Sequence, residues 1–269
     1  MHKMPTKLLA ALALMFTLAA SPAAAQVLPG VTWISSGGDD ANPCSRTAPC
    51  RTFQGALDKT AAGGEIIALD PGYYGGGLGG GGIGGVEITK SITLSGGSGV
   101  GIFAPGLVGI YIVAGSADRV VLRGIDIDGV GQRAGIENGH ASGLVRQFGI
   151  AVISAFDVLI EDCTIHGFLA SGVAGDHVTI RNSTIHSNGF GVQVGDAAGT
   201  AHVTVVGSLV LDNRRGGLEV SGAGNVIEIA DSEVFGPKGL VQEDGGVVRS
   251  YGDNVIPSDV TPAETAATK

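Results

Sequence analysis

A repeated short motif constrains the fold of this chain more than any other feature of its sequence. Four near-copies align without gaps, at Val158-Leu-Ile-Glu-Asp-Cys-Thr-Ile165, Val178-Thr-Ile-Arg-Asn-Ser-Thr-Ile185, Val203-Thr-Val-Val-Gly-Ser-Leu-Val210 and Ile227-Glu-Ile-Ala-Asp-Ser-Glu-Val234. They recur after 20, 25 and 24 residues. A period in this range is typical of stacked supersecondary units, so we expect a solenoid.

The columns of the aligned copies predict that each copy forms strands and show which of its residues face the interior of the solenoid. Apolar residues stand at the first and third positions of each copy, and they face inward because strand side chains alternate. Cys163 shares a column with Ser183, Ser208 and Ser232, which predicts a buried ladder of small residues and no reactive thiol.

The polar column between the two strands of each copy predicts a sharp corner. Asp162, Asn182 and Asp231 stand there, together with Gly124 and Gly207. These residue types tolerate left-handed backbone, so we interpret their carboxylates as structural and not catalytic.

A second row of strands precedes these, and each strand begins with glycine. The row starts at Gly85, Gly109, Gly149, Gly172, Gly191, Gly217 and Gly239. Each rung therefore carries three short strands, which pair in parallel with their copies about 4.8 Å away. The predicted fold class is all-β, a parallel solenoid over residues 62–256, followed by a flexible tail over 257–269.

The first 25 residues have the pattern of a signal peptide. Lys3 and Lys7 precede an apolar run, Leu8 to Ala20, and Ala23 to Ala25 offer a small-residue cleavage site. A membrane anchor is the alternative, but the run is short for a span. We therefore expect export, to the periplasm or beyond, and no membrane span after cleavage.

Charge excludes two classes of partner. The chain has a formal charge of −9, and removing Lys3 and Lys7 takes it to −11. Nucleic acids and anionic membranes need a basic surface, so neither is an expected partner. No cofactor is expected.

Residues 26–61 are predicted to form an N-terminal segment with a capping helix. In an exported protein, the spacing of Cys44 and Cys50 suggests a local disulfide. The alternative, a metal site, would require more ligands nearby. The segment from Thr52 to Thr60 has the pattern of an amphipathic helix, which we expect to cover the exposed end of the first rung of the solenoid. The glycine run from Gly75 to Gly85 is interpreted as a flexible turn or as backbone close to a ligand.

These columns resemble the right-handed parallel β-helix proteins of the pectin lyase-like superfamily. The segment Val178-Thr-Ile-Arg-Asn-Ser-Thr-Ile-His-Ser-Asn-Gly-Phe-Gly-Val192 is similar to its generic repeat, and the N-terminal segment resembles that of exported bacterial members. The resemblance implies a right-handed, single-stranded parallel β-helix. It does not choose an activity, because the superfamily holds lyases, hydrolases, epimerases, tailspikes and adhesins.

The resemblance also implies where a substrate would lie: along the outside of the glycine-led sheet. The outward residues there are Glu87, Tyr111, Ala151, Ala174, Gln193, Glu219 and Val241. The turns leading into the sheet include Asp212 to Gly216 and an insertion over Gly129 to Gln147. Leu122 to Ile160 takes 38 residues, about 15 more than one repeat.

These positions give two functional hypotheses. The first is an exported protein that binds polysaccharide or other cell-envelope glycan along its long face, with Tyr111, Arg133, His140, Arg146 and Gln193 as binding residues. The alternative is a lyase or hydrolase of uronate-containing glycans, in which Arg214 and Arg215 bind carboxylates and Asp212 and Glu219 form an acid/base pair. The known polygalacturonase motifs and the calcium-binding aspartates of pectate lyases do not occur at the matching positions.

A third hypothesis is a periplasmic metal-binding protein. His166 shares a column with His186, as does His177 with His202, so each pair is expected to meet on adjacent rungs. Two ligands do not make a selective site, and no metal-binding residues are assigned.

Overall fold

The chain forms a parallel β-helix whose coils each contribute to three sheets. The structure is a computed structural model that describes residues 27–75, 85–104, 108–129, 147–195, 200–257 and 261–266. Every strand pair in it is parallel, and the described sheets have ten, seven and seven strands. The fold class predicted from the repeat is confirmed.

The glycine-led sheet contains Val86–Ile88, Val108–Val113, Phe148–Ser154, Ser171–Ala174, Phe190–Val194, Gly216–Ser221 and Leu240–Glu243. The second sheet contains Val31–Ile34, Gly64–Ala68, Ile92–Ser95, Arg119–Arg123, Asp157–Glu161, Val178–Arg181, His202–Val206, Val226–Ala230, Val247–Tyr251 and Glu264–Ala266. The third sheet contains Gly72–Tyr73, Val100–Phe103, Asp126–Asp128, Thr164–His166, Thr184–His186, Leu209–Leu211 and Glu233–Val234. A short helix covers Phe53–Leu57.

The register of the sheets follows the sequence columns. Val158 pairs with Val178, which pairs with Val203, and Ile165 pairs with Ile185. These residues are buried, so each apolar side chain stacks on its copy in the next coil. This continuous stacking is what makes the repeat stable, since one coil alone would leave its apolar interior exposed.

The corner column adopts the left-handed backbone that its residue types predict. Asp162, Asn182 and Asp231 have φ of 55°, 47° and 49°. Gly124 and Gly207 have φ of 60° in the same column. The predicted left-handed corner is therefore confirmed, and a structural role for its carboxylates stays a prediction.

Buried polar ladders tie successive coils together inside the helix. The Cys163 and Ser183 backbone N–H groups donate to the hydroxyls of Ser183 and Ser208 in the next coil, both at 3.2 Å. A second ladder was not expected from the sequence. The Asn188 Oδ1 accepts from the Phe168 N–H, and the Asn213 Oδ1 accepts from the Asn188 N–H, both at 3.0 Å.

Glycine leads the strands because the next coil leaves no room for a side chain. At Gly191, a Cβ would lie 2.6 Å from the Gly217 carbonyl oxygen. The same contact, 2.6 Å, would arise at Gly217 from the Gly239 carbonyl, and 2.4 Å at Gly149 from the Gly172 carbonyl. A main-chain oxygen cannot move aside without breaking the sheet, so glycine is required here.

The helix caps the first coil and is shorter than the predicted Thr52–Thr60. Thr52 is its N-cap, with its hydroxyl accepting from the Gly55 N–H at 2.9 Å. After Leu57 the chain continues in turns, because the N–H groups of Lys59 and Thr60 donate three residues back, to Ala56 and Leu57. The Lys90 ammonium group also donates to the carbonyls of Leu57 and Thr60, at 2.7 and 2.6 Å. Phe53 and Leu57 are buried, as the amphipathic pattern predicts.

The predicted disulfide between Cys44 and Cys50 is present beside this cap. Both cysteines are fully buried. The bridge closes the loop that carries the chain from the first strand to the capping helix.

The second sheet extends past both boundaries predicted for the β-helix. Val31–Ile34, in the predicted N-terminal segment, pairs with Gly64–Ala68. Glu264–Ala266, in the tail predicted to be flexible, pairs with Val247–Tyr251. Both additional strands join the sheet through backbone hydrogen bonds, so the pattern of apolar side chains in the repeat does not predict them. The glycine run over 76–84 lies outside the described residues.

In the described part of the chain, no helix has the length and apolar character needed to cross a bilayer.

A hydrogen-bonded carboxylate, Asp70, joins the cap to the first coil. It accepts from the Tyr74 hydroxyl, from the Ser36 N–H at 2.8 Å and from the Ser35 hydroxyl at 2.7 Å. These bonds, led by that of Tyr74, lower the pKa of Asp70 from 3.8 to about 2. Burial, followed by the bond to Asp70, raises the pKa of Tyr74 to about 12.

We expect this carboxylate to make stability depend on pH in acid. Because the folded-state pKa lies below the unfolded-state value, the contribution is complete above pH 3.8 and is lost as the pH falls toward about 2. Asp70 is partly exposed to water, so we expect about 1 kcal/mol. Urea unfolding of the wild type and Asp70→Asn measures it. The stability difference between the two proteins should shrink as the pH falls over this interval. A constant difference for Asp70→Asn would contradict the assignment.

Candidate functional site

The outer face of the glycine-led sheet carries the predicted column of outward residues in register. Glu87 pairs with Tyr111, and Tyr111 pairs with Ala151. Further along, Gln193 pairs with both Ala174 and Glu219, and Glu219 pairs with Val241. Tyr111, Gln193 and Glu219 are each half-buried, so part of each side chain reaches the surface.

The second outward column of this face is more apolar and was not identified from the sequence. Phe148, Ser171, Phe190 and Gly216 occupy it on four successive coils. Ser171 is fully buried, and its hydroxyl donates to the Gln193 Oε1 at 2.6 Å. This bond fixes the amide of a predicted binding residue. The repeat pattern does not reveal this column, because its described members, which also include Val108 beside Phe148, are of four different residue types.

Arg214 and Arg215 lie in the turn that leads into Gly216–Ser221, and the turn is firmly held. Their N–H groups donate to the carbonyls of Asn188 and Gly189, both at 2.8 Å. The Arg215 guanidinium carbon lies 4.5 Å from the centre of the Phe190 ring, a cation–π contact. Arg214 donates to the Phe168 carbonyl at 3.3 Å. Both side chains are exposed, so these two cations are placed beside the outer face.

Asp212 and Glu219 lie on different sides of this turn. Asp212 follows the third-sheet strand Leu209–Leu211, has a φ of 52°, and acts electrostatically on His186 of the third sheet. Glu219 lies on the glycine-led sheet, in register with Gln193. Asp212 therefore has the backbone of a corner residue, and its roles in catalysis and in an acid/base pair with Glu219 stay predictions.

The insertion that leads into Phe148–Ser154 falls largely outside the described residues. Arg133, His140 and Arg146, three of the predicted binding residues, belong to residues 130–146, which are not described. The last residue of the insertion, Gln147, is buried, with a side-chain Oε1 that has no hydrogen-bond partner among the described residues. Its carbonyl accepts from the Ala170 N–H at 2.9 Å, which anchors this end of the insertion to the next coil.

The histidine columns behave differently from each other. His166 and His186 stack with ring centres 5.0 Å apart and planes 3° from parallel. His166 Nε2 lies 3.0 Å from Asp126 Oδ1, and its Nδ1 lies 3.6 Å from Asp128 Oδ1. Burial first, and then the charge of His166, lower the pKa of His186.

The other two histidines each pair with a carboxylate. His177 Nδ1 lies 2.8 Å from Asp176, and His202 Nε2 lies 3.3 Å from Glu228. Within the described ranges, no three histidine, cysteine or acidic side chains are grouped so that they could hold a metal ion.

Cys163 is one step of the interior ladder. Its side chain is buried, and burial raises the pKa of its thiol to about 11. A thiol that stays protonated at neutral pH is a poor nucleophile. The prediction of a structural cysteine is confirmed.

Comparison with known proteins identifies the fold family. The sequence matches the family described as "Right handed beta helix region" over residues 86–234. A solved structure of pectate lyase Pel9A is similar in fold, with a TM-score of 0.57, 14% identity, and 89% of this chain and 78% of that chain covered. A rhamnogalacturonan lyase aligns with a TM-score of 0.38 at 14% identity, over 88% of this chain and 86% of that one. No curated protein matches the sequence.

The family match covers more than half of the chain, and the parallel three-sheet architecture agrees with it. The likeness to the pectate lyase extends the agreement in fold to most of the chain, with no conclusion about activity at this identity. This protein belongs to the right-handed β-helix family.

Proposed function

We propose that this protein is exported and binds polysaccharide along the outer face of its glycine-led sheet. The observation that carries the proposal is the Arg215 guanidinium held over Phe190, beside the aligned pair Gln193 and Glu219. A stacked guanidinium keeps its edge available for hydrogen bonds to carboxylate or hydroxyl groups. The glycan class that this arrangement favours is one that contains uronate.

The turn that carries Arg214 and Arg215 and the glycine-led sheet contribute different groups to the proposed binding site. Arg214 and Arg215 supply positive charge to an otherwise acidic protein, and a carboxylate on a sugar would be drawn to this point. Gln193, fixed by Ser171, and half-buried Tyr111 supply hydrogen-bonding groups three coils apart on the same sheet. Binding groups repeated along the rod suit a long polymer better than a small molecule.

Export rests on the sequence of residues 1–25 and on the Cys44–Cys50 bridge. Disulfides persist in oxidising compartments and are rare in the cytosol. The location is therefore the periplasm or the extracellular space.

Arg215→Ala is expected to weaken retention on polygalacturonate about tenfold, because it removes a charge-assisted contact. Affinity electrophoresis of the purified protein through gels containing this polymer measures the effect. Arg181→Ala, at an exposed arginine on the outside of the second sheet, is the matched control and should migrate like the wild type. Failure of the wild type to be retarded, or equal loss in both variants, would contradict the proposal.

A polysaccharide lyase acting on uronate polymers is the second candidate. It is favoured by the likeness in fold to a pectate lyase and by two exposed arginines beside the rung of Glu219. Incubation with polygalacturonate, followed by the ultraviolet absorbance of unsaturated products or by reducing ends, tests it. If Glu219→Ala reacted at the wild-type rate, Glu219 would have no role in the reaction. If the wild type formed no product, the lyase proposal would be contradicted and only the binding proposal would stand.

A further inference from the structure

Two exposed aromatic rings stand on the outer face of the third sheet, away from the site proposed above. Tyr73 is 53% exposed and Phe103 is 43% exposed. Their ring centres are 6.0 Å apart, with planes at 69°. Tyr73 pairs with Gly101, and a Cβ at Gly101 would lie 2.9 Å from the Tyr73 ring, so the ring lies across the glycine. Neither ring belongs to the buried apolar rows that hold the coils together.

Carboxylates follow the rings on the next coil. Gly101 pairs with Asp126, and Phe103 pairs with Asp128. The side chains of Asp126 and Asp128 are 43% and 23% exposed, and both carboxylates contact the ring nitrogens of His166. The imidazole therefore orients two acceptor groups beside the aromatic pair.

An open cleft adjoins this cluster at the corner between the second and third sheets. Its volume is about 440 Å³, and it is largely open to solvent. Asp126, Asp162 and Thr164 line it, together with the segments 97–100 and 124–125. Val100, in its wall, pairs with Gly72, the neighbour of Tyr73. Asp126 thus belongs both to the cleft and to the face that carries the rings.

The charges of the cluster select among ligands. Asp126, Asp128 and Asp162 would repel a uronate polymer, and among the described residues no lysine or arginine lines the cleft. Arg51 is engaged nearby, where it donates to the Tyr73 carbonyl at 3.0 Å and lies over the Tyr74 ring. A purely apolar partner would cover these charged groups and offer them no hydrogen bonds of its own, which is unfavourable.

A neutral sugar ring satisfies both kinds of group. Its C–H face carries slight positive charge and stacks on the negative face of an aromatic ring, while its hydroxyls donate to carboxylates. We infer that Tyr73, Phe103, Asp126 and Asp128 form a second glycan site, which binds neutral polysaccharide. This site lies on a different sheet from the first and favours a neutral polymer over an anionic one, so each proposal can fail without the other.

Affinity electrophoresis through gels containing galactomannan, xyloglucan or hydroxyethylcellulose tests the site. We expect at least one of these polymers to retard the purified protein, and Tyr73→Ala/Phe103→Ala to weaken that interaction about tenfold or more. Asp126→Asn is expected to weaken it less, since an amide still accepts a hydrogen bond. Tyr73→Phe should bind like the wild type, because the ring and not the hydroxyl is used.

Two controls separate this site from the rest of the surface. Phe156→Ala removes an aromatic ring that is 49% exposed outside the cluster, and Arg215→Ala alters the first site. Both should bind the neutral polymer like the wild type, and circular dichroism checks that every variant is folded. Absence of binding to all three neutral polymers would overturn the inference. So would neutral binding that survives Tyr73→Ala/Phe103→Ala in the folded protein.

Discussion

Replacing Gly191 with alanine is expected to lower the free energy of unfolding by about 3 kcal/mol or more. The added Cβ would lie 2.4 Å from Val210 Cγ1 and 2.6 Å from the Gly217 carbonyl oxygen. The first contact is with the packed interior and the second is with the backbone of the next coil. Relief of either one would separate two coils that are joined by parallel strands.

Urea unfolding followed by circular dichroism measures this loss. Gly30→Ala is the matched control, because a Cβ at Gly30 would meet no atom within 4 Å, and it should change stability little. If Gly191→Ala were as stable as Gly30→Ala, the close approach of the glycine carbonyls would not be the reason for this column of glycines.

Replacing Asn213 with alanine is expected to destabilise the protein by a similar amount, about 3 kcal/mol. The Asn213 side chain accepts from the Asn188 N–H and donates to the Ile185 carbonyl, both at 3.0 Å. Asn188 and Asn213 are fully buried, so water does not replace these bonds. Loss of the amide leaves a buried donor unpaired and opens a small cavity beside it.

The same unfolding measurement tests the asparagine ladder. Asn182→Gly, at an exposed corner with a φ of 47°, removes an asparagine where glycine fits the backbone and should cost little. Asn213→Asp keeps the shape and the acceptor but loses the donor, so it should be less stable than the wild type. An Asn213→Ala variant with wild-type stability would show that the ladder contributes nothing to folding.

The repeat made the register of the sheets predictable from the sequence. Once Val158, Val178 and Val203 are aligned, the pairing of every neighbouring residue follows, because parallel strands keep one offset. The columns of Cys163 and the corner residues followed from the same alignment. The additional strands Val31–Ile34 and Glu264–Ala266 did not, because they pair through backbone groups and lie outside the repeat.

The candidate sites were less predictable, since they depend on contacts between unlike residues. Arg214 and Arg215 were identified from their turn, but the support that Phe190 gives Arg215 requires knowing which strand lies beside which. Tyr73 and Phe103 are 30 positions apart and belong to no repeated column. Their partnership is created by the coil, so no local pattern could report it.

The buried ladders also bear on how such a protein changes length during evolution. The coil from Val178 to His202 contains its own serine, asparagine and glycine for the contacts to its neighbours, at Ser183, Asn188 and Gly191. A tandem duplication of its coding segment would insert a coil whose two sides fit each other, with no redesign of the interior. The length of the outer face is therefore a heritable trait that gene duplication can adjust one coil at a time.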